Sequence, residues 1–245
     1  MDRMLYVAMS GANQTALAQE INTNNLANAS TDGFLADLTA FKAMHVNGTG
    51  YASRAYSIAE VPSADFKPGM TVQTGRQLDI AVEGNGFIAV QARDGTEAYT
   101  RTGSLRVDPT GLLVTATGLP VNGNGGPITI PPAQKFDIGL DGTISIVPIG
   151  QEPNATVVLD RIKLVKAEPS ALQKGNDGLI RTRDGVELEA DASMRVVSGA
   201  LESSNVNPVQ SLVEMIGLSR RYEAQIKLMK TAEDIDAATD KLLQA

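Results

Sequence analysis

The sequence predicts an α+β protein: a helix at each end and a mainly-β domain, barrel- or sandwich-like, between them. Three observations carry this. Residues Met4 to Asn28 repeat apolar side chains every three to four positions, the spacing of one helix face. A second stretch with that spacing opens at Asn207-Pro208 and runs to about Leu243. Between Met70 and Val197, short apolar runs alternate with Asp-Gly, Asn-Gly and Asp-Pro-Thr-Gly signals, as strands joined by tight turns require.

The first helix carries Leu5, Met9, Ala12 and Ala16 on one stripe, widened by Leu17, Ile21 and Leu26. Asn13, Gln14, Gln19, Glu20, Asn22 and Thr23 supply the polar positions. Asn28 to Gly33 is a run of turn formers that ends it, closing a first segment at residues 1–34. Residues 35–72 read as an extended connector or hairpin arm. Ala36 to Met44 is expected to extend the helix briefly. Asn47-Gly48 and Gly50 mark turns, Tyr51 to Val61 an arm, and Pro62 and Pro68-Gly69 breaks.

Residues 73–197 form the β domain. Leu78 to Val82, Gly84-Asn85-Gly86 and Phe87 to Val90 read as strand, turn, strand. Further strands are expected at Leu112 to Val114, Ile128 to Ile130, Ile144 to Val147 and Val157 to Val165. Residues 198–245 hold the second helix, with Asn207 as N-cap and Pro208 at the first helical position. Its apolar face is Leu212, Met215, Tyr222, Ile226 and Met229, widened by Val209, Val213 and Ile216. At about 1.5 Å per residue it reaches about 54 Å. That exceeds what a small domain needs, so part of it is expected to pack outside its own chain. Helices of this kind need an apolar partner, and the simplest partner for each is the other, or copies of both from neighbouring subunits.

Composition narrows the function. The net charge of −7 argues against nucleic acid as a partner, which demands a basic surface. Aromatics make up 4% of the chain, with no Trp, so a large aromatic ligand platform is not expected. The chain has no cysteine, hence no disulfide and no thiolate chemistry. No apolar run approaches the roughly 18 residues of a membrane-spanning helix, so the protein is not expected to be transmembrane. Met1 to Ala12 lacks the continuous apolar core of a cleaved secretion signal.

Catalytic chemistry has few candidates. His45 is the single histidine and has no acidic neighbour in sequence. A Ser-His-Asp triad would have to use it, but no Gly-x-Ser-x-Gly elbow is present, and one His with no Cys cannot make a histidine cluster for zinc. Asp79 and Glu83 are the nearest approach to a carboxylate pair; four apart in a strand and turn, they read as outward polar positions. The Gly123 to Gly126 run lacks the Lys-Ser or Lys-Thr of a phosphate loop and does not open a helix. Arg220-Arg221, Lys227 and Lys230 are interleaved with Glu214, Glu223, Glu233 and Asp234, as on a solvated or ion-paired helix face. No catalytic residue, cofactor, metal or small-molecule substrate is expected. Two other classes stay open on these residues: an enzyme or ligand-binding β module on a helical stalk, and a surface adhesin.

Four ordered segments resemble the bacterial flagellar rod and hook proteins. They are Asn24-Asn25-Leu26-Ala27-Asn28-Ala29-Ser30-Thr31-Asp32-Gly33-Phe34; Thr74 to Phe87; Tyr99 to Leu105 with Asp108 to Val121; and Gly199 to Val209 with Met215-Ile216 and Arg220 to Glu223. Met1 to Ala12 and Gly126 to Pro131 look like the proximal-rod rather than the distal-rod branch. The resemblance implies that the terminal helices pack as a coiled-coil-like inner domain with the β domain outside. It implies a structural subunit of the axial drive shaft that transmits torque from motor to hook. Its partners would be copies of itself, neighbouring rod proteins and the flagellar type III export apparatus. Its place would be the basal body within the periplasm, reached without a cleaved signal. Asn25, Leu26, Asn28, Gly33 and Phe34 of the first signature would then join the two apolar stripes in the assembly interface.

Overall fold

The computed structural model describes residues 3–38, 41–45, 55–59, 63–150 and 156–243. The chain falls into two units. One is helical, comprising the terminal segments and residues 37–63; the other is Ala29–Ala36 with Ala64–Asn205.

In the helical unit, α1 spans Arg3–Ala27 and α2 spans Pro208–Leu243. Asn207 caps α2: its Oδ1 accepts the N–H of Val209 at 3.0 Å and of Gln210 at 3.2 Å. These are donors the first helical turn would otherwise leave unpaired. The helices run antiparallel. Asn22 Nδ2 donates to the Ser211 carbonyl at 2.8 Å, near the start of α2, while Gly11 faces Gln225, two turns or more further on. A Cβ at Gly11 would lie 2.9 Å from Gln225 Nε2, so a larger residue there would require the Gln225 side-chain amide to move aside.

Residues Phe41–His45 and Ala55–Ala59 form an antiparallel hairpin, with Phe41 opposite Ala59 and His45 opposite Ala55. The expected helical extension through Ala36 to Met44 is therefore wrong. Asn25 supplies a reason. Its side-chain amide bonds both the carbonyl and the N–H of Asp37, each at 2.8 Å. Both groups are then committed to a side chain, and the chain leaves extended. The expected turns at Asn47-Gly48 and Gly50 lie outside the described residues, as do Tyr51 to Arg54 and Glu60-Val61 of the expected arm and the expected break at Pro62.

The β unit is built from antiparallel strands in several small sheets. The largest runs, edge to edge, Leu164–Lys166, Gly86–Gln91, Glu97–Thr100, Ile180–Thr182, Leu172–Lys174. Its strands alternate between two cores. Ile88, Val90, Ala98 and Leu164 face a large aliphatic cluster with Ile80, Leu105, Leu113, Ile128, Ile144 and Val196. Phe87, Ala89, Tyr99, Val165 and Ile180 face a smaller one with Leu35 and Leu172. A strand buried on both faces needs no polar alternation, which is why Phe87 to Val90 reads as a continuous apolar run. A three-stranded sheet, Ala133–Ile138, Thr143–Pro148 and Val157–Arg161, packs Ile138, Ile144 and Ile146 into the large core.

The expected strand Val157 to Val165 is two strands in two sheets. Ile162, bridged to Gly123, marks the change of sheet, and buried Ile162 anchors it. Beyond Val196–Ser198, strand Ala200–Glu202 pairs with Thr71–Gln73 and carries the unit on to Asn205. Several turns share one device. Asp94, Asp108, Asp141 and Asp191 each accept, on the carboxylate, the N–H of the residue two further on and that residue's hydroxyl, in Thr96, Thr110, Thr143 and Ser193.

Candidate assembly interface

The buried side chains of α1 are Ala8, Ala12, Thr15, Ala18 and Asn22, spaced three or four apart. On α2, Ser211, Leu218, Gln225 and Ala232 are buried or half-buried at a seven-residue repeat, with Met215, Gly217, Ser219 and Met229 half-buried beside them. Small residues at seam positions let two helices approach closely, and the seven-residue period keeps the seam in register. Leu218 is buried in the seam and Met215 and Met229 are half-buried there, but many of the other large apolar side chains are turned away from it.

Among the expected interface residues, Leu5 and Met9 of α1 are exposed, and so are Val209, Leu212, Ile216, Tyr222 and Ile226 of α2. Val209 is 69% and Ile216 56% exposed, well beyond a side chain at the edge of a core. Val213, Leu228 and Ile235 add to the exposed set. Leu17, Ile21, Asn25, Leu26, Asn28, Met215 and Met229 are half-buried, and Ala12 lies in the seam. Sequence reasoning followed the large side chains, and so named Ala12, Met215 and Met229 of the seam but not Ala8, Thr15, Ala18, Asn22, Ser211, Leu218, Gln225 or Ala232. The spacing of Ala8, Ala12, Thr15, Ala18 and Asn22 was the available signal.

The N-terminal signature is divided between the units. Asn28 ends α1, its N–H bonded to the Asn24 carbonyl at 3.1 Å. Gly33 and Phe34 belong to the β unit. The Gly33 N–H donates to the Glu202 carbonyl at 2.7 Å. Its φ is +68°, and a Cβ there would stand 2.5 Å from the Arg101 backbone carbon. Both facts require glycine. The Lys174 ammonium lies 4.1 Å from the centre of the Phe34 ring and donates to the Leu35 carbonyl at 2.7 Å.

Beneath Gly33 lies an ion pair that the sequence reading quoted only inside longer motifs. Arg101 Nη2 meets Glu202 Oε2 at 2.6 Å, with side-chain exposures of 0% and 3%. Arg101 Nε reaches both carboxylate oxygens, at 2.9 and 2.8 Å. The rest of the guanidinium donates to the carbonyls of Gly86, Gly84 and Val82. The Gly69 N–H completes the cluster on Glu202 Oε1 at 2.8 Å. This pair ties four separated stretches of the β unit together: Gly69, Val82 to Gly86, Arg101 and Glu202.

The remaining candidates are structural. Asp79 is buried, contrary to the outward position expected for it. Arg76 Nη2 pairs with its Oδ1 at 2.6 Å and the Thr74 hydroxyl donates to Oδ2 at 2.7 Å. Those partners are what allow a carboxylate to leave solvent. Glu83 is exposed, as expected. His45 ends a strand of the hairpin. Gly123 is a buried strand residue. A half-buried cluster joins Glu97, Tyr99 and Lys163. Lys163 Nζ reaches both Glu97 oxygens, at 2.8 and 2.9 Å, and Tyr99 donates to Glu97 Oε1 at 2.9 Å. Burial, then the Glu97 carboxylate, holds the Tyr99 phenol well above its usual range. These groups satisfy one another. Among the described residues no group of acidic or histidine side chains could hold a metal ion, and no helix is long and apolar enough to cross a membrane.

Terminal helices joined through a seam rich in small residues, with many large apolar side chains facing outward, characterise a structural protein that assembles with other chains. Residues 5–34 match the family described as flagella basal body rod protein, and residues 197–242 the C-terminal family of flagellar basal body rod FlgEFG proteins. Residues 81–146 match the flagellar hook protein FlgE/F/G D1 domain. The flagellar basal-body rod protein FlgF of Salmonella typhimurium is 44% identical over 249 residues, covering 99% of each chain. FlgF of Escherichia coli is likewise 44% identical over 250 residues, at 99% of each. FlgG of Bacillus subtilis is 34% identical over 261 residues, covering 95% of this chain and 96% of its own. The chain belongs to the flagellar basal-body rod protein family. Within that family it is FlgF-like.

Proposed function

We propose that this chain is a structural subunit of the flagellar basal-body rod, in its proximal part, and that it performs no enzymatic step. It assembles with copies of itself and with neighbouring rod proteins. It reaches the periplasm through the flagellar type III apparatus, without a cleaved signal. The observation that carries the assembly reading is the outward apolar face of α2: Val209, Leu212, Val213 and Ile216, then Tyr222 and Ile226. Side chains of this size gain about 1.5–3 kcal/mol each on full burial, a gain still unrealised in the single chain. Repeated heterologous contacts that do not close on themselves build a filament, and many such contacts in parallel make it stiff in torsion. Identity of 44% to two FlgF proteins supports the proximal placement over the distal one.

The test is the double substitution Ile216→Asp/Ile226→Asp. Both positions are exposed, so the soluble chain should melt within about 0.5 kcal/mol of wild type. A charge forced into a packed helix interface costs several kcal/mol, so incorporation should fail. Purified basal bodies containing the variant at the wild-type level would overturn the reading.

A further inference from the structure

The sequence holds four Asn-Gly dipeptides: Asn47-Gly48, Asn85-Gly86, Asn122-Gly123 and Asn124-Gly125. Locally they share one reactivity. The backbone nitrogen after an asparagine can attack the side-chain carbonyl carbon, and glycine hinders that approach least. Whether it does depends on the freedom of the backbone to bring the two atoms together.

The fold treats these sites differently. Gly86 is buried at the start of a central strand and is paired with Lys166, and its carbonyl accepts Arg101 Nη1 at 2.8 Å. A Cβ there would collide with Met194. Asn122 is buried, its carbonyl accepts the Lys163 N–H at 2.9 Å, and Gly123 is bridged to Ile162 and crowded by Asp160. Asn124-Gly125 is the opposite case. It is the two-residue tip between Asn122–Gly123 and Gly126–Pro127. Both residues are exposed, and a Cβ at Gly125 would meet nothing within 4 Å. The next residue, Gly126, sits at φ +115°, so the chain beyond the tip is also free of side-chain hindrance. Asn47-Gly48 lies outside the described residues.

We propose that Asn124 is a site of spontaneous, backbone-mediated deamidation. The Gly125 amide gives up its proton to solvent base, and its nitrogen bonds to Asn124 Cγ. The side-chain nitrogen leaves as ammonia, closing a five-membered imide. Water then adds to either imide carbonyl, which yields aspartate or an isoaspartyl linkage. The reaction changes no oxidation state and consumes only water. Its product places a carboxylate at the tip of a hairpin that already holds Asp160 beside Gly123. The isoaspartyl form also adds a backbone carbon to a hairpin whose register is Asn122 opposite Pro127.

The test uses the full chain, incubated in warm, mildly alkaline buffer, once folded and once in concentrated urea. Digestion and mass spectrometry follow conversion at Asn85, Asn122 and Asn124, and an isoaspartyl methyltransferase counts the isoaspartyl product. In urea the three sites should convert at comparable rates. In the folded chain Asn124 should keep most of its rate, while Asn85 and Asn122 slow by at least about tenfold, because they react only through local opening. Gly125→Ala, at a position with open space, should leave folding intact and suppress conversion of Asn124. Protection of Asn124 as strong as that of Asn122, or an undiminished rate in Gly125→Ala, would overturn the proposal.

Discussion

Replacing Arg101 by methionine removes one half of the buried pair and keeps most of the side-chain volume. The loss is specific. Glu202 would retain only the Gly69 N–H on its carboxylate, and the carbonyls of Val82, Gly84 and Gly86 would lose their donor. With side-chain exposures of 0% and 3%, solvent cannot take over. Breaking such a pair from one side costs about 3–5 kcal/mol, against about 0–1 kcal/mol for an exposed pair. For a chain of this size each kcal/mol lowers the melting temperature by about 2–4 °C, so a fall of about 6–20 °C is expected. Arg181→Met is the matched control, since Arg181 pairs with a half-exposed Asp177. The double variant Arg101→Met/Glu202→Met should melt closer to wild type than Arg101→Met does, because no charge is then stranded. With no tryptophan in the chain, near-ultraviolet circular dichroism of buried Tyr99 and its fellow tyrosines gives the melting curve. An Arg101→Met transition no lower than that of Arg181→Met would refute the assignment of a stabilising role to this pair.

Two further outcomes follow from the same geometry. Gly33→Ala should destabilise by more than about 2 kcal/mol, since it adds a collision with the Arg101 backbone to the cost of positive φ. Gly95→Ala, at φ +83° with open space around it, should cost only about 1 kcal/mol, and equal effects in urea unfolding would remove the collision from the account. The turn carboxylates predict an acid limb. Hydrogen bonds from the side chains of Thr96, Thr110, Thr143, Arg181 and Ser193 hold Asp94, Asp108, Asp141, Asp177 and Asp191 below the ordinary carboxylate range. Their contribution is complete above the unfolded value of about 3.9 and is lost as pH falls through the lowered folded values. Urea midpoints should therefore hold between about pH 7 and pH 5 and drop below about pH 4. A drop already finished at about pH 5 would trace acid sensitivity to other groups.

Local chemistry made much of this protein legible in advance. Both helices and the Asn207-Pro208 start of α2 follow from side-chain spacing and from capping, which act within a few residues. The hairpin turns follow from Asp-Gly pairs for the same reason. Ala36 to Met44 was misread because its conformation depends on the Asn25 side chain, twelve residues from the backbone it holds. Asp79 was misread because burial is decided by what surrounds a carboxylate, here Arg76 and Thr74, rather than by its own charge. Only the tertiary structure could pair Arg101 with Glu202, one hundred and one residues apart, or decide that Leu218 lies in the helix seam with the small residues while Val209, Leu212 and Ile216 lie outside it. An apolar stripe shows that a helix has a face to bury. Which side chains meet a partner within the chain, and which are left for another subunit, depends on how closely two backbones approach, and that distance is set by the smallest residues between them.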